Sequence, residues 1–346
     1  MFENNSRTEL ESLGEFGLIH HLTKDLGMKN PTTVMGPGDD AAVIEAGNAF
    51  WLLSSDALLE GVHFDLSFHP LKHLGYKAVA VAVSDICAMN GIPGQILVNM
   101  GLSNRFSLEA VEEIYVGVRT ACEKYNVDLV GGDTFSSRSG LVLSITAAGR
   151  VEKEKIAYRR GAEENDLLVV SGDIGGAYMG LQILEREKRV FMEHPDMQPD
   201  LEAHDYIVGR QLRPEARLDI IKLLAELKVQ PGSMIDVSDG VASEVFHLGA
   251  ASGVGFDIYE EKLPIDPMTV DRALGFGLNP SIASLNGGED YELLFTIKPA
   301  DFEKIKNNPD LTVIGHATAN KGQHRLITKA GNVFDLKAQG WEHFRG

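Results

Sequence analysis

The sequence predicts a mixed α/β (α+β) protein with two domains, and three observations support this. The chain has 346 residues, 44% of them apolar and 24% charged, which suits about two globular domains of roughly 150 residues each. Strand-like and helix-like segments alternate through both halves. A polar stretch of mixed charge, Glu152 to Asp166, separates the halves. We therefore expect one domain over residues 1–151 and a second over residues 152–346.

The first half predicts three helices and five strands. Residues 8–27 open with a capping-box pattern and predict a first helix. Residues 70–89 have apolar side chains at helical spacing; residues 78–83 alone also fit a buried strand, and we favour the helix. Residues 107–125 predict an amphipathic helix with Ser107 as its N-cap. The predicted strands are 41–44, 50–53, 96–102, 127–130 and 141–151.

The second half continues the alternation. Its apolar runs predict strands at 167–170, 255–259, 292–297 and 311–315. Its periodic segments predict helices near 175–187, 215–227 and 241–251. Two α/β domains follow from this order of elements.

Charge and cysteine content exclude several classes of protein. The formal net charge is −18, so the surface repels nucleic-acid backbones and anionic membranes. Phosphorylated substrates stay possible if bound divalent cations invert the local field. No apolar run approaches the roughly 20 residues that span a bilayer, and the polar N-terminus does not predict a signal peptide. Cys87 and Cys122 are too few for a disulfide framework, so we expect a reducing, cytoplasmic location.

A recurrent pattern predicts a cation site. An apolar segment followed by small residues and then an aspartate occurs at Asp56, Asp85, Asp133, Asp173 and Asp239, with the Gly38–Asp40 loop as a variant. Small residues let a phosphate or cation approach the backbone, and carboxylates are hard oxygen ligands. Any single case is more typical of turn or helix-cap chemistry than of a cation site. Six such ends in one cleft would repel one another without a cation, which indicates Mg²⁺ rather than zinc.

Known nucleotide-binding motifs do not account for the sequence. The segment from Gly36 to Ala41 formally matches a Rossmann G-x-G-x-x-A, but its two carboxylates would repel a pyrophosphate and Pro37 has no N–H. No P-loop sequence or protein-kinase signature occurs. A nucleotide would therefore be held through Mg²⁺ between carboxylates and phosphates.

Other polar residues give weaker signals. His69 and His73 share a helix face but lack a nearby third ligand, so solvated side chains are the favoured interpretation. His63 follows a glycine and is a better candidate for contacting an anion. The segment 287–293 is acidic and fits either a functional loop or a turn before an edge strand. The sequence shows no Ser-His-Asp or Cys-His grouping to which covalent catalysis could be assigned.

Seven groups of residues together resemble the thiamine-monophosphate kinase family, in that family's order, from about Gly14 to the C-terminus. They are Gly38-Asp-Asp-Ala-Ala42, Ser54-Ser-Asp56 with Gly61-Val-His63, Tyr76-Lys-Ala78 with Ser84-Asp85, Gly131-Gly-Asp-Thr134, Ile235-Asp-Val-Ser-Asp-Gly240, Gly287-Gly-Glu-Asp-Tyr-Glu292 and Gly340-Trp-Glu-His-Phe344. The wider superfamily includes aminoimidazole-ribonucleotide synthetase, selenophosphate synthetase and a hydrogenase-maturation dehydratase. This chain lacks the catalytic Cys followed by Lys and the C-terminal Cys of those relatives, which favours the kinase.

The resemblance implies a fold and a set of site residues. N-terminal domains of two subunits would form a dimeric β-barrel, and the C-terminal α/β domain would complete a cleft for ATP and several Mg²⁺ ions. The implied metal ligands are Asp40, Ser54, Ser55, Asp56, Asp85, Asp133, Asp236 and Asp239. The implied ATP contacts are Tyr115, Gly132, Asp133, Arg159 (or its neighbour Arg160) and Ser238. The implied substrate contacts are His63, Glu289 and Trp341, and the implied catalytic residues are Asp133, Asp56 and Arg159.

The implied activity is direct transfer of the γ-phosphoryl group of ATP to thiamine monophosphate, which gives thiamine diphosphate and ADP in thiamine diphosphate biosynthesis. The acceptor phosphate is already ionised near pH 7, so the reaction needs positioning and charge neutralisation rather than a general base. Two alternatives stay open. One is a related enzyme that phosphorylates a carbonyl or amide oxygen, which would differ around Glu289 and Trp341. The other is a non-catalytic cation-binding protein, which would bind cations without nucleotide.

Overall fold

The computed structural model describes residues 10–138 and 140–338. Its strands form two β-sheets, one from residues 33–152 and one from residues 167–335. Helices pack against both sheets. The predicted mixed α/β class is therefore confirmed, with one sheet in each half of the chain.

The first sheet is open. Its six strands lie in the order β1-β2-β3-β6-β4-β5, and all neighbours are antiparallel except β4 and β5. The strands are β1 (Thr33–Met35), β2 (Ala42–Ala46), β3 (Ala49–Leu59), β4 (Ile92–Leu102), β5 (Asp128–Ser136) and β6 (Val142–Glu152). Within the described residues, β1 and β5 are free edges, so the single chain does not form a closed barrel.

Helix α1 (Gly14–Thr23) precedes this sheet. Two longer helices lie in this half, of which the first packs on the sheet and the second packs on the first. They are α2 (Leu71–Ala88) and α3 (Leu108–Tyr125). Both confirm the predicted helices, and the Ser107 hydroxyl accepts a hydrogen bond from the Ala110 N–H at 3.4 Å, as an N-cap should. The helices touch through glycines, because a Cβ at Gly117 would lie only 1.9 Å from the Lys72 carbonyl oxygen.

The second half contains a seven-stranded sheet in the order β13-β12-β9-β11-β7-β10-β8. Only β12 and β9 are parallel. The strands are β7 (Leu167–Ser171), β8 (Met234–Asp236), β9 (Gly255–Tyr259), β10 (Leu293–Ile297), β11 (Leu311–Thr318), β12 (His324–Ile327) and β13 (Val333–Asp335). The helices are α4 (Gly176–Glu193), α5 (Asp205–Leu212), α6 (Leu218–Leu227), α7 (Val241–Ser252), α8 (Pro267–Gly275), α9 (Pro280–Asn286) and α10 (Phe302–Ile305).

Some predicted boundaries were wrong. The first helix begins at Gly14, whose φ of +63° breaks it from a short 3-10 turn before it, and it ends at Thr23 rather than Gly27. The predicted strand 50–53 continues to Leu59, and the predicted strand 127–130 continues to Ser136. Asp56 and Asp133, which were expected just after these strands, therefore lie inside them. A strand can carry such residues because alternate side chains face opposite sides, so that one can face a cleft while its neighbours face the core.

Helix α2 joins the two halves. Fourteen of its residues are buried, and it packs between the first sheet and β8. Ser84 on α2 donates a hydrogen bond of 2.5 Å to the carboxylate of Asp236 at the end of β8. A helix enclosed on all sides is apolar around its whole circumference, which explains why residues 78–83 resemble a buried strand. None of the described helices has the length and hydropathy needed to cross a membrane.

Candidate active site

A cleft with a volume of about 1160 Å³ lies between the two halves. Strand β3, helix α2 and residues 61–69 form one wall, and α4, α9 and the segments around residues 236–239 and 288–291 form the other. It brings together nine of the residues named from the sequence. They are Ser55, Asp56, His63, Asp85, Arg159, Asp236, Ser238, Asp239 and Glu289.

Carboxylates converge at the base of this cleft. Asp40, Asp85 and Asp236 each offer an oxygen within 4.8 Å of the others. Asp40 comes from the loop before β2, Asp85 from α2, and Asp236 from the end of β8. Asp56, on β3, lies against Asp85 and shares a hydrogen bond with it. Residues distant in sequence thus form one acidic cluster.

Burial changes the ionisation of this cluster. Loss of hydration raises the pKa of Asp56 to about 6, with the Asp40 charge adding to the effect. Burial, followed by the charge of Asp40, raises the pKa of Asp236 to about 7. Asp85 has a pKa well above its ordinary value, first through burial and then through the charges of Asp56 and Asp236. Ionised together, these groups need a counter-charge.

The donor set fits a hard divalent cation such as Mg²⁺. Oδ2 of Asp40 and Oδ2 of Asp56 are buried and have no hydrogen-bond partner among the described residues. Buried polar atoms are normally satisfied, and unpaired oxygens in a group of neighbouring carboxylates are suited to metal ligation. All available ligands are oxygens, which favours Mg²⁺ over zinc.

Hydroxyl groups and one arginine complete the acidic cluster. Ser54 donates a hydrogen bond to Asp85 Oδ2. Nη2 of Arg159 lies 2.7 Å from Oδ1 of Asp40, and the Arg159 backbone N–H donates to the Asp39 carboxylate at 3.2 Å. Arg160 instead lies over the Tyr158 ring, 4.9 Å from its centre. Arg159 is therefore the arginine of this pair that faces the carboxylates.

The acidic segment 287–292 is clamped against the residues that follow β8. The Glu289 N–H donates to the Ser238 carbonyl at 2.7 Å, and the Tyr291 N–H donates to the Val237 carbonyl at 2.9 Å. Glu289 and Tyr291 have φ values of +65° and +53°, in the left-handed region. Such conformations cost free energy in non-glycine residues and occur mainly where the surrounding structure imposes them, often at functional sites.

Alternate side chains of this segment face opposite directions. Glu289 and Tyr291 line the cleft, whereas Asp290 and Glu292 are buried behind it. Asp290 accepts hydrogen bonds from the N–H groups of Gly175 and Ala177 at 2.5 and 3.1 Å. Glu292 accepts from Ser171 Oγ at 2.5 Å and pairs with Arg210 and Arg217. The alternative of an edge strand is wrong, because β10 lies between β7 and β8.

Another part of the cleft lining is apolar and aromatic. Its lining side chains are Phe64, Phe68, Tyr178, Leu181, Leu278 and Ile282. His63 lies at the rim, where its Nδ1 accepts a hydrogen bond from the Leu59 N–H at 3.1 Å. The cleft can thus hold a molecule that carries phosphates at one end and a ring system at the other.

Several residues named from the sequence lie elsewhere. Gly132 and Asp133 are on the exposed edge strand β5. The strand register gives the distance from Asp133 to Asp56. Asp133 on β5 lies opposite Asn99 on β4, and Asn99 lies opposite Ser144 on β6. Ser144 in turn lies opposite Ala57 on β3, the residue next to Asp56. Three strand spacings amount to about 14 Å. Asp133 therefore does not reach the acidic cluster of its own chain, and its roles stay predictions.

The other outlying residues are Tyr115 and Trp341. Tyr115 lies on α3 and packs against the first core rather than into the cleft. Trp341, together with the closing motif 340–344, lies outside the described residues. The roles assigned to both from the resemblance stay predictions.

Sequence reasoning missed other features of the cleft. His69 is buried rather than solvated, and burial, with the Lys77 charge second, lowers its pKa to about 3. Gln211 and Tyr291 line the cleft. The signal for Tyr291 was present in the acidic segment, but Gln211 lies on α5, a short helix that no pattern indicated. His73 lies outside the cleft.

Comparisons with known proteins agree with this site. Residues 38–151 match the family described as AIR synthase related protein, N-terminal domain. Thiamine-monophosphate kinase of Aquifex aeolicus (strain VF5) is 36% identical over 97% of this chain and 99% of its own length. The enzyme of the same name from Bacillus subtilis (strain 168) is 32% identical over 96% of this chain and 100% of its own.

A solved structure described as AaThiL complexed with AMPPCP and TMP superposes with a TM-score of 0.83 and 33% identity. It covers 98% of this chain and 100% of that chain. Sequence similarity of this extent, together with the shared fold and the acidic cleft, shows that this chain is a kinase that belongs to the thiamine-monophosphate kinase family.

Proposed function

We propose that the protein transfers the γ-phosphoryl group of ATP directly, in line, to the phosphate of thiamine monophosphate, with Mg²⁺ as cofactor. The observation that carries this proposal is the division of one cleft into an acidic end and an aromatic end. The acidic end suits cations and the phosphates that they bind, and the aromatic end suits the heterocycles of thiamine. The ligands of the solved relative, AMPPCP and TMP, support the same pair of substrates.

The chain's residues act by position and charge. We propose that Asp40, Asp56, Asp85 and Asp236 hold the cations. In support, oxygens of Asp40, Asp85 and Asp236 lie within 4.8 Å of one another, and Asp56 lies against Asp85. Bound Mg²⁺ would offset the repulsion between two phosphate groups brought to reacting distance. Arg159 adds a fixed positive charge beside Asp40. An ionised acceptor phosphate is itself the nucleophile, so no side chain needs to remove a proton.

Substrate recognition would use the opposite end of the cleft. His63 and Glu289 lie at its wall, where they can contact the ring system of the acceptor. Ser238 lies beside Asp239 on the segment clamped to Glu289, and we propose that it contacts ATP. Asp239 would ligate a separate cation.

We also propose that the protein acts as a cytoplasmic homodimer, with its domains divided near residue 151. Strand β5 has an unpaired edge, and its Val130 and Phe135 side chains are 59% and 44% exposed. Leu97 on the neighbouring strand β4 is also exposed, as is Leu53 on β3 of the same sheet. Apolar side chains beside an open edge favour pairing with a second copy, which would build the proposed dimeric barrel and could bring Asp133 to a cleft.

The proposal predicts a specific product. Purified protein with ATP, Mg²⁺ and thiamine monophosphate should yield thiamine diphosphate and ADP in equal amounts. Phosphorus NMR measures both products. Chelation of Mg²⁺ should stop the reaction. ADP with inorganic phosphate, but without thiamine diphosphate, would mean that the acceptor is wrong. Cation binding without any ATP consumption would instead favour the cation-binding alternative.

A further inference from the structure

Lys77, on helix α2, is buried inside the protein beside the cleft. Its side chain has no exposed surface, which is rare for lysine because a buried ammonium group needs a partner. The partner is Glu289, whose Oε1 lies 2.6 Å from Lys77 Nζ. Lys77 Nζ also lies 3.5 Å from the Gln211 carbonyl oxygen. The ammonium group of Lys77, on α2, is therefore directed at Glu289, in the segment that follows α9.

Both oxygens of the Glu289 carboxylate are held. Oε1 faces Lys77, and Oε2 accepts a hydrogen bond of 2.5 Å from Gln211 Nε2. The Glu289 side chain is 26% exposed, and its open side faces the cleft. Each carboxylate oxygen can accept more than one hydrogen bond, so the carboxylate can still receive a donor from a ligand while Lys77 and Gln211 fix its direction.

Glu289 needs this support. Its backbone is in the left-handed region, which an ordinary residue occupies only when other contacts hold it. Its carboxylate also faces the same cleft as Asp56, Asp236 and Asp239, and like charges repel. Without the ammonium group of Lys77, the Glu289 carboxylate would turn away from the other carboxylates of the cleft.

Helix α2 links this pair to the acidic cluster. Lys77, Val81 and Asp85 are spaced by four residues, so they lie along one side of the helix, and Val81 and Asp85 line the cleft. Eight residues of α-helix rise by about 12 Å. One rigid element thus sets the separation between the carboxylates that would hold cations and the carboxylate that would meet the acceptor.

We propose that Lys77 is a positioning residue that fixes Glu289 for recognition of the ring system of the phosphate acceptor. This inference rests on the proposed function and adds a residue to it. Lys77 does not touch the acceptor, since it has no surface in the cleft. Its removal should therefore weaken binding of the acceptor much more than binding of ATP.

The kinetic test compares Lys77→Met with a matched control, Lys72→Met, at an exposed position of the same helix. Lys77→Met should raise KM for thiamine monophosphate at least 10-fold and change KM for ATP less than 2-fold. Lys77→Arg keeps the charge and should recover part of the loss. Lys72→Met should leave both KM values unchanged. An equal rise in both KM values for Lys77→Met, or no rise in either, would overturn the proposal.

A double-mutant cycle tests whether Lys77 acts through Glu289. Glu289→Gln alone should raise KM for thiamine monophosphate, and adding Lys77→Met should change it less than 2-fold further, because the pair is already broken. Independent, multiplicative effects would show that Lys77 acts elsewhere.

The same cycle measured by denaturant unfolding needs no substrate. Each single variant should lower the unfolding midpoint, and the double variant should lower it by clearly less than the sum, because no unpaired charge is left behind. Additive shifts would show that the two residues are not coupled and would overturn the inference. If the stability cycle shows coupling but the wild-type protein forms no thiamine diphosphate, the proposed function fails and the pairing stands.

Discussion

Asp56, Asp85 and Asp236 lose most of their hydration in the folded protein. Oxygens of Asp85 and Asp236 lie within 4.8 Å of each other and of Asp40, and Asp56 lies against Asp85. An isolated aspartate would be ionised near pH 4, but here burial favours the neutral acid. The folded protein can therefore bind protons at this place in conditions under which the unfolded chain has released them. Protons and divalent cations compete for the same oxygens.

The raised pKa values of these carboxylates predict how the stability of the protein depends on pH. The pKa values of Asp56 and Asp236 are raised to about 6 and about 7. Groups with raised pKa values in the folded state stabilise it fully below their unfolded pKa, near 4, and lose that contribution as the pH rises through about 6 to 7. In chelator, the unfolding free energy should therefore fall between pH 5 and pH 7.5 through these groups. Mg²⁺ should restore it at pH 7.5.

Thermal unfolding with and without Mg²⁺ at the two pH values checks this prediction. We expect the increase in Tm on adding Mg²⁺ to be clearly larger at pH 7.5 than at pH 5. Asp236→Asn should reduce the difference, whereas Asp271→Asn, at a side chain 70% exposed on α8, should leave it unchanged. An equal increase at both pH values would show that these carboxylates do not bind the cation.

At this scale, the sequence could predict which aspartates matter more easily than how they are supported. Small residues before an aspartate mark positions where a backbone can be approached closely, and of the six ends with this pattern Asp40 and Asp85 lie in the acidic cluster, with Asp56 against Asp85. Asp133 does not reach the cluster of its own chain, Asp173 pairs with Arg210 instead, and Asp236 was named only through the resemblance. The pairing of Lys77 with Glu289 was not predictable, because it joins residues far apart in sequence. A lysine in an apolar helix also has no local signal that tells a buried partner from an exposed side chain.

Among the elements, helices α2 and α3 pack against each other through glycines. A Cβ at Gly75 would lie 2.0 Å from the Ile114 carbonyl oxygen, and one at Gly117 would lie 1.9 Å from the Lys72 carbonyl oxygen. Real Cβ atoms do not approach backbone atoms this closely. The two helices are therefore packed at a separation that only glycine permits, and any side chain would have to push them apart.

Gly117→Ala should accordingly destabilise the protein strongly. A clash with fixed backbone cannot be relieved by rotation of a side chain, so we expect a loss of roughly 3 kcal/mol or more, at the upper end for overpacked cores. Gly209→Ala is the matched control, because Gly209 on α5 has no atom within 4 Å of the added Cβ. It should be neutral or stabilising by up to about 1 kcal/mol.

Denaturant unfolding monitored by circular dichroism measures both changes. A Gly117→Ala variant as stable as the wild type would mean that the two helices can separate without cost. A large loss for Gly209→Ala would point instead to a general intolerance of alanine in these helices.

Element length decided what could be predicted. Long periodic segments such as α2, α3 and α7 were predicted with bounds close to those observed. Short elements such as β8, with three residues, and α9, with seven, carry too few positions for a period to appear. Asp236 was nevertheless named correctly as a member of the acidic cluster, because its motif marks the residue whatever the length of its strand.

Among the described residues, the long strand β5 is paired with β4 on one side only, and its other edge is open. All nine residues of β5 are exposed, and they include Asp133. Its register places Asp133 in the row of Asn99, on the side of the sheet opposite the buried Val98 and Met100. Within one chain, Asp133 and Asp56 are thus separated by three strand spacings. If Asp133 serves catalysis in the proposed homodimer, it does so at the cleft of the other subunit.

Mixed dimers test this arrangement. Asp56→Asn and Asp133→Asn should each lower kcat by orders of magnitude while the fold stays intact. A dimer with one Asp56→Asn chain and one Asp133→Asn chain, purified through two different tags, should regain about half of the wild-type kcat. One of its clefts then has both native aspartates, and the other has neither.

The control is a mixed dimer in which both chains carry Asp133→Asn, which should stay inactive. If the dimer of Asp56→Asn and Asp133→Asn chains is as inactive as its parents, Asp133 does not act across the interface. An Asp133→Asn homodimer with wild-type kcat would remove the residue from catalysis altogether.

At the scale of the molecule, the order of elements predicted two α/β domains and the resemblance implied a cleft between them, but neither predicted how the halves are joined. Alternating elements and motif order indicate fold class, yet the contact between α2 and β8 depends on pairs such as Ser84 and Asp236 that no local period reveals. The arrangement of subunits was named only through the resemblance. A chain's own periodicity contains no information on which sheet edge meets a second copy.

The enclosure of α2 also determines how ligands come and go. Because this helix is packed from both sides and bonded across the halves, a hinge between them would have to break the hydrophobic core. Passage into the cleft must then depend on its rim, where Val62 and Ile282 are 44% and 50% exposed. The reaction would then take place beside a rigid helix α2, and small movements of the residues at the rim would set the turnover rate.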